Sequence, residues 1–275
     1  MLSLRTVNRF LRTVLPALIL CSVVIGCGTQ KRVSPTPTID RIQERGTLLV
    51  GTTGDYRPLS YKEPETGEYW GFGIDMAEEF AGSLGVSISY VPTSWPTLSA
   101  DVQTPELFDF AIGGITITDA RKETMDMSEG YLCNGKTILC RKEDASKYQT
   151  LEDLNKPEVR VMVNPGGLNE KFARENLPES YLIVYEKNEE IPDKIAEGEA
   201  DVMITEITEA PWYVKNDTRL AAPLLDQPFN RGQIGVLMRR GQEDLLKKVN
   251  AKIREMKSNG KLRDLHDRYG LIYGY

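Results

Sequence analysis

From about Asp40 onward the chain alternates short runs rich in β-branched and aromatic residues with helical patterns, and no other feature constrains the fold as strongly. Strands that keep returning between helices imply α/β layering, with helices packed on the faces of a largely parallel sheet. The strand runs are TLLVGT (47–52), SISYVP (87–92), FDFAIG (108–113), TILCRK (137–142), VRVMV (159–163), YLIVYE (181–186), DVMIT (201–205) and IGVLMR (234–239). Helical stretches lie between them at IDMAEEFAGSLG, NEKFARENL and DKIAEG, and one long helical segment is expected from Gln242 to Tyr269. The style of the chain changes at 137–151 and again near 228–233. Two crossings are what two lobes need when the C-terminal segment returns to complete the first. Residues 39–137 with 233–275 therefore read as one lobe and 138–232 as the other. A cleft between them is the default ligand site, and hinge closure the default motion.

The start of the chain follows other rules. Residues 1–26 carry Arg5, Arg9 and Arg12 and no acid, then an apolar run from Val14 to Ile25 interrupted by Pro16. That is the layout of an export signal, too short for a comfortable membrane span. Val-Ile-Gly-Cys resembles a bacterial lipobox, which predicts lipidation at Cys27 and a flexible tether over 27–38. Removing the signal takes the net charge from −6 to −9, since three arginines leave with it. Such a balance offers no basic face for nucleic acid.

Of four cysteines, only Cys133 and Cys140 remain in the folded part, and an intervening strand would hold their thiols too far apart for a bridge. His266 is the single histidine; in LRDLHDRYG it reads as a surface or capping residue. No His/Cys zinc set and no Ser-His triad can be assembled, so acid–base chemistry falls to carboxylates, lysines or tyrosines.

Five stretches carry candidate chemistry. Gly130, Gly135, Lys136 and Thr137 match the P-loop spacing, but strand-like TILCRK follows where a helix is required, so Lys136 is expected to face the cleft instead. GITITDAR (114–121) runs from a strand end into a short helix with Thr118 or Asp119 as N-cap. Its Arg121 reads either as half of a bidentate carboxylate site or as a surface arginine after a cap. NPGGLNEKFAR (164–174) is either an anion-approaching glycine turn or a plain one. Trp95, between Pro92 and Pro96, is a lid on the core or a wall for a flat ligand. Glu206 and Glu209 in TEITEA share a face of one helical turn. In a closed cleft such a pair raises the pKa of one member; on a surface it is a solvated helix start.

Taken together, GTLLVGTTGDYRPLSY, GITITDAR and the lobe-returning C-terminus resemble the family 3 extracellular solute-binding proteins, over roughly 39–272. Within that fold, TTGDYRP, VPTSWPTL, NGKT, VNPGGLNEKFAR and TEITEA in this order are similar to the cyclohexadienyl dehydratases. The resemblance implies a type II periplasmic-binding-protein fold, two α/β lobes joined by a two-segment hinge. It implies cofactor-independent loss of water and carbon dioxide from prephenate or arogenate, on the periplasmic side of the cell envelope. Arg121, Thr116 and Gly114 would then hold a substrate carboxylate, with Trp95 near the ring. Asp55, Tyr56, Asn164, Asn169 and Glu206 would add contacts, Lys136 would be the cleft lysine and Glu209 the general acid. The alternative is a non-catalytic amino-acid-binding lipoprotein that serves an ABC permease. Lys136 is expected close to Glu209, turning to a substrate carboxylate when the lobes close. The resemblance departs at Glu206, where the family carries Asp against an α-ammonium; Glu is one methylene longer, which weakens the expectation of that contact.

Overall fold

The computed structural model describes residues 38–272. The signal, Cys27 and almost all of the tether lie outside the described residues. Thr38, read as the end of the tether, is instead the buried first residue of the Thr38–Arg45 helix.

Two five-stranded sheets organise the chain. In the first, the order is Ser87–Pro92, Thr47–Thr52, Phe110–Ala111, Leu237–Arg239 and Met125–Met127. The first three strands run parallel and the returning C-terminal strand is antiparallel to its neighbours. In the second, the order is Tyr181–Val184, Arg160–Val163, Val202–Glu206, Lys136–Arg141 and Leu220–Ala221. Again three strands are parallel and Lys136–Arg141 is antiparallel. The alternation of apolar runs is thus explained by sheets covered on both faces. In the second sheet Val161, Val163, Ile138 and Ile204 bury on one side, and Met162, Leu139 and Met203 on the other.

Between the sheets the chain crosses twice, and the crossings pair as a ribbon of Leu132–Asn134 with Gly232–Ile234. IGVLMR, read as one strand, is split here: Ile234 belongs to the ribbon and Leu237–Arg239 to the first sheet. The strand expected over FDFAIG shortens to Phe110–Ala111, because the chain turns away at Gly113 and Gly114. The C-terminal segment is two helices, Glu243–Ser258 and Lys261–Tyr269, interrupted at Asn259–Gly260, both weak helix formers. The second helix folds back, and its 3.6-residue period carries His266 inward with Leu262 and Leu265. His266 is therefore a core residue, not a surface one. Its Nδ1 donates to the Leu262 carbonyl at 2.6 Å, Phe72 packs edge-on, and burial pushes its pKa down. Cys133 and Cys140 are not joined by a disulfide, and the stretch after Gly135 is strand, as the rejection of a P-loop requires.

At the far edge of the second sheet, Asp201 accepts from the Arg160 backbone N (2.9 Å), from Arg160 Nη2 (2.7 Å) and from Arg141 Nη2 (3.1 Å). These partners hold its carboxyl below the usual range despite burial. Replacing Asp201 by Ala should lower unfolding stability by about 2–3 kcal/mol, because two guanidinium groups lose their shared acceptor. Urea titration at neutral pH measures this; a loss near zero would mean solvent replaces the carboxylate.

Candidate active site

Apart from the stretch with Lys136, which opens an antiparallel strand, the candidate loops leave the carboxyl ends of parallel strands, the place where open α/β sheets bind ligands. After Thr47–Thr52 come Asp55 and Tyr56; after Phe110–Ala111 come Gly114 and Thr116; after Arg160–Val163 comes Asn164; Glu206 closes Val202–Glu206. The loops meet around a small cavity lined by Tyr56, Trp95, Gly114, Thr116, Arg121, Lys136, Asn164, Gly167, Leu168, Asn169 and Glu206. Its volume is about 20 Å³, little more than one water needs. A carboxylic acid of any size does not fit that space as it stands. A second, larger cavity of about 250 Å³ adjoins it and shares Thr116, Lys136, Leu168 and Glu206.

The centre of the site is set by strand register. Glu206 stands directly across from Lys136 in the antiparallel pair, which brings oppositely charged side chains onto one face. Lys136 Nζ donates to Glu206 Oε1 at 2.7 Å and to Asn169 Oδ1 at 2.5 Å, with both charged groups buried. Tyr56 donates its hydroxyl to Glu206 Oε2, and Thr116 Oγ1 donates to Oε1 at 3.3 Å. Desolvation opposes the charge of Glu206, but Lys136 and these donors prevail and hold its carboxyl below the usual range. It is a carboxylate.

Arg121 reaches the same cavity from the Asp119–Thr124 helix, whose N-cap is Thr118; the Thr118 hydroxyl accepts from Arg121 N at 3.2 Å. Arg121 Nη1 donates to the Thr116 carbonyl at 2.6 Å. Among the described residues no carboxylate forms an ion pair with this largely buried guanidinium, and burial pulls its pKa down. Arg121 thus lines the cavity and is only partly exposed. It is a cation with donors to spare, suited to a bidentate anion.

Close packing around the cavity relies on two glycines, Gly114 within the first lobe and Gly166 where the lobes meet. At Gly114, φ is +90°, and a side chain would meet the Tyr56 ring at 2.6 Å. At Gly166, φ is +72°, and a side chain would lie 2.6 Å from Pro96 Cα. Trp95 thereby sits against Gly167, edge-on to Tyr56 with centroids 5.6 Å apart, and its Nε1 donates to Asp55 Oδ1 at 3.0 Å. It forms part of the cavity wall. Asp55 itself is turned away to that indole, and burial raises its pKa.

Glu209 departs from expectation in two respects. It does not line the cavity, and Lys136 pairs with Glu206 and not with it, because the register puts position 206, not 209, opposite the lysine. It is wholly buried one layer behind, at the start of the Ala210–Asn216 helix, so the two glutamates do not share a helical face. Thr205 Oγ1 donates to Oε2 at 2.5 Å and Asn188 Nδ2 to Oε1 at 2.8 Å. Burial is the main cause that pushes its pKa up to about 8, with charge on Glu206 and Asp55 adding to it against those two hydrogen bonds. One carboxyl of the pair is therefore ionised at neutral pH and the other is not. Asn188, unremarkable in the acidic stretch EKNEE, also donates to the Asp55 carbonyl at 3.0 Å and so ties the buried acid to the opposite lobe. Asn134, in the ribbon, donates to Thr116 at 3.2 Å and accepts from Thr208 at 3.2 Å.

Comparison with known proteins agrees with this architecture. Residues 48–272 match the bacterial extracellular solute-binding proteins, family 3. The chain belongs to that family. It is 42% identical over 204 residues to the cyclohexadienyl dehydratase of Pseudomonas aeruginosa (strain PAO1), covering 74% of this chain and 75% of that protein. It is 32% identical over 233 residues to the L-cystine-binding protein TcyJ of Escherichia coli (strain K12), covering 84% and 85%. Among solved structures, an ancestral amino-acid-binding protein described as a precursor of cyclohexadienyl dehydratase aligns with a TM-score of 0.78 at 38% identity, over 84% of this chain and 99% of that one. An ancestral cyclohexadienyl dehydratase, with 49% identity over 86% and 97%, aligns at 0.53. The fold is that of the type II periplasmic binding proteins, and the family is one of exported proteins. It holds both enzymes and binding proteins.

The raised pKa of Glu209 has a sign that stability can report. In the unfolded chain the group ionises near its ordinary value; in the folded protein it keeps its proton until about pH 8. Between those values the folded state binds more protons, so stability falls as pH rises from about 4.5 to 8. Glu209→Gln, which keeps both hydrogen-bonding positions, should abolish that fall. Melting temperatures of the two proteins should converge at pH 5 and separate by at least about 3 °C at pH 8, the variant higher. Parallel curves would mean Glu209 titrates normally.

Proposed function

We propose that this protein is a cyclohexadienyl dehydratase of the cell envelope that converts prephenate to phenylpyruvate, with Glu209 as proton donor. The observation that carries the reading is a carboxyl pushed up to about 8 by burial, set just behind a cleft whose own carboxylate, Glu206, is kept ionised by Lys136. A binding protein gains nothing from a desolvated acid there. A dehydratase needs a proton held ready at neutral pH. The 42% identity to a dehydratase supports the same reading.

In the reaction, Arg121 and Thr116 hold a substrate carboxylate, and Trp95 and Tyr56 flank the ring. Asn164 and Asn169 contact the substrate from the second sheet. Lobe opening admits the substrate and detaches Asn188 from the Asp55 carbonyl, and as the lobes close on the substrate the Glu209 carboxyl turns from Asn188 to the ring hydroxyl. Glu209 protonates that oxygen, the C–O bond breaks, and water leaves with its electron pair. The bond to the ring carboxylate then breaks; its pair completes the aromatic ring and carbon dioxide departs. Prephenate dianion and one proton thus become phenylpyruvate, water and carbon dioxide, and Glu209 recovers its proton from solvent. We further propose that the chain is a lipoprotein anchored through Cys27 on the periplasmic side.

A second reading, an amino-acid receptor delivering to an ABC permease, draws on the amino-acid-binding relatives and on the anchor, since a tether raises effective concentration at a permease. Mixing purified protein with prephenate and following phenylpyruvate absorbance separates the two. Turnover is expected, falling above about pH 8 as Glu209 ionises, and Glu209→Gln should lower kcat by about 10²–10⁴-fold. No turnover, together with tight binding of an amino acid, would establish the receptor instead.

A further inference from the structure

The Lys136–Glu206 pair has a consequence for which acids the cleft accepts. Glu206 is the carboxylate that lines the small cavity, so a cationic group on a ligand would have to find its partner there. It is already engaged. Oε1 accepts from Lys136 Nζ at 2.7 Å and from Thr116 at 3.3 Å, and Oε2 accepts from Tyr56. The side chain is almost fully buried, and Asn134 adds a further hydrogen bond to it. Asp55 is directed to the Trp95 indole and does not line the cavity. Glu209 faces Thr205 and Asn188. Arg121 and Lys136, by contrast, are two cations in one cavity wall against one anion, and Arg121 has no ion-pair partner among the described residues.

We propose that the cleft selects carboxylates lacking an α-ammonium group, because Glu206, the carboxylate that lines the cavity, is already paired with Lys136. A carboxylate on Arg121 cancels the surplus positive charge of the wall. An α-amino acid brings the same carboxylate with a cation a few ångströms away and no unengaged carboxylate in the cavity wall to pair with it, and a buried charge without a counter-ion is strongly disfavoured. The class of ligand is thus the α-keto or unsubstituted acid. Applied to the dehydratase reading, on which only the identity of the acid rests, this means prephenate over arogenate.

The test uses two compounds with one skeleton, phenylpyruvate and L-phenylalanine, titrated calorimetrically into the full-length protein. Phenylpyruvate should bind at least about 30-fold tighter, which corresponds to about 2 kcal/mol. Lys136→Met, checked for folding by circular dichroism, frees Glu206 and should narrow that ratio by about tenfold or more, one decade being about 1.4 kcal/mol. Equal or tighter binding of phenylalanine to the wild type overturns the proposal whatever the variant does. So does failure of both compounds to bind, since the keto acid would then find no seat at Arg121. If Lys136→Met does not fold, the wild-type ratio, together with kcat/KM for prephenate against arogenate, decides. Selection for the keto acid without any prephenate turnover would retain the proposal and remove the dehydratase reading; turnover of both substrates with equal kcat/KM would do the reverse.

Discussion

A lysine and a glutamate placed face to face by antiparallel register sit at the bottom of the cleft, and the other polar groups of the site are arranged around them. With Lys136 in place, Glu206 can be an anion without water, and with Glu206 an anion, Tyr56 and Thr116 from the opposite lobe have an acceptor to close upon. For the neighbouring acid, complete desolvation favours the protonated form of Glu209, and the fixed negative charge at position 206 adds to it. Two carboxyls three residues apart thereby take opposite states, which is the separation that acid–base sites require.

Lobe closure is held by interactions the protein makes with itself. Asn188 bridges Glu209 and the Asp55 carbonyl, Trp70 and Trp212 pack with centroids 5.4 Å apart, and Pro96 rests against the bare backbone of Gly166. These contacts connect the chemistry of one buried carboxyl to the relative position of the lobes. Asn188 contacts the acid as well as the lobe it closes upon, so movement of the lobes reaches Glu209 through a single amide.

Much of the architecture was legible because it follows from short-range pattern. Strands at 47–52, 87–92 and 201–205 are apolar runs bounded by turn residues, and the structure places strands at Thr47–Thr52, Ser87–Pro92 and Val202–Glu206. The Thr118 cap and the Arg121 that follows it were equally visible. The pairing of Lys136 with Glu206 was not, since it depends on which residue of one strand falls opposite which residue of another seventy positions away. Spacing within TEITEA suggested one helical face, whereas the strand continues through Glu206 before the chain turns. Asn188 gave no signal at all, because EKNEE is composed like a solvated helix start. His266 misled for the converse reason: charged neighbours hid a position whose period points to the core.

The narrowness of the cavity between the lobes bears on kinetics. At about 20 Å³ the cavity is smaller than an organic acid, so binding draws on the fraction of molecules in which it has widened, and the apparent affinity is scaled by that fraction. The tilted indole contact between Trp70 and Trp212, centroids 5.4 Å apart, joins the two lobes outside the cavity lining and so bears on how often the door stands ajar.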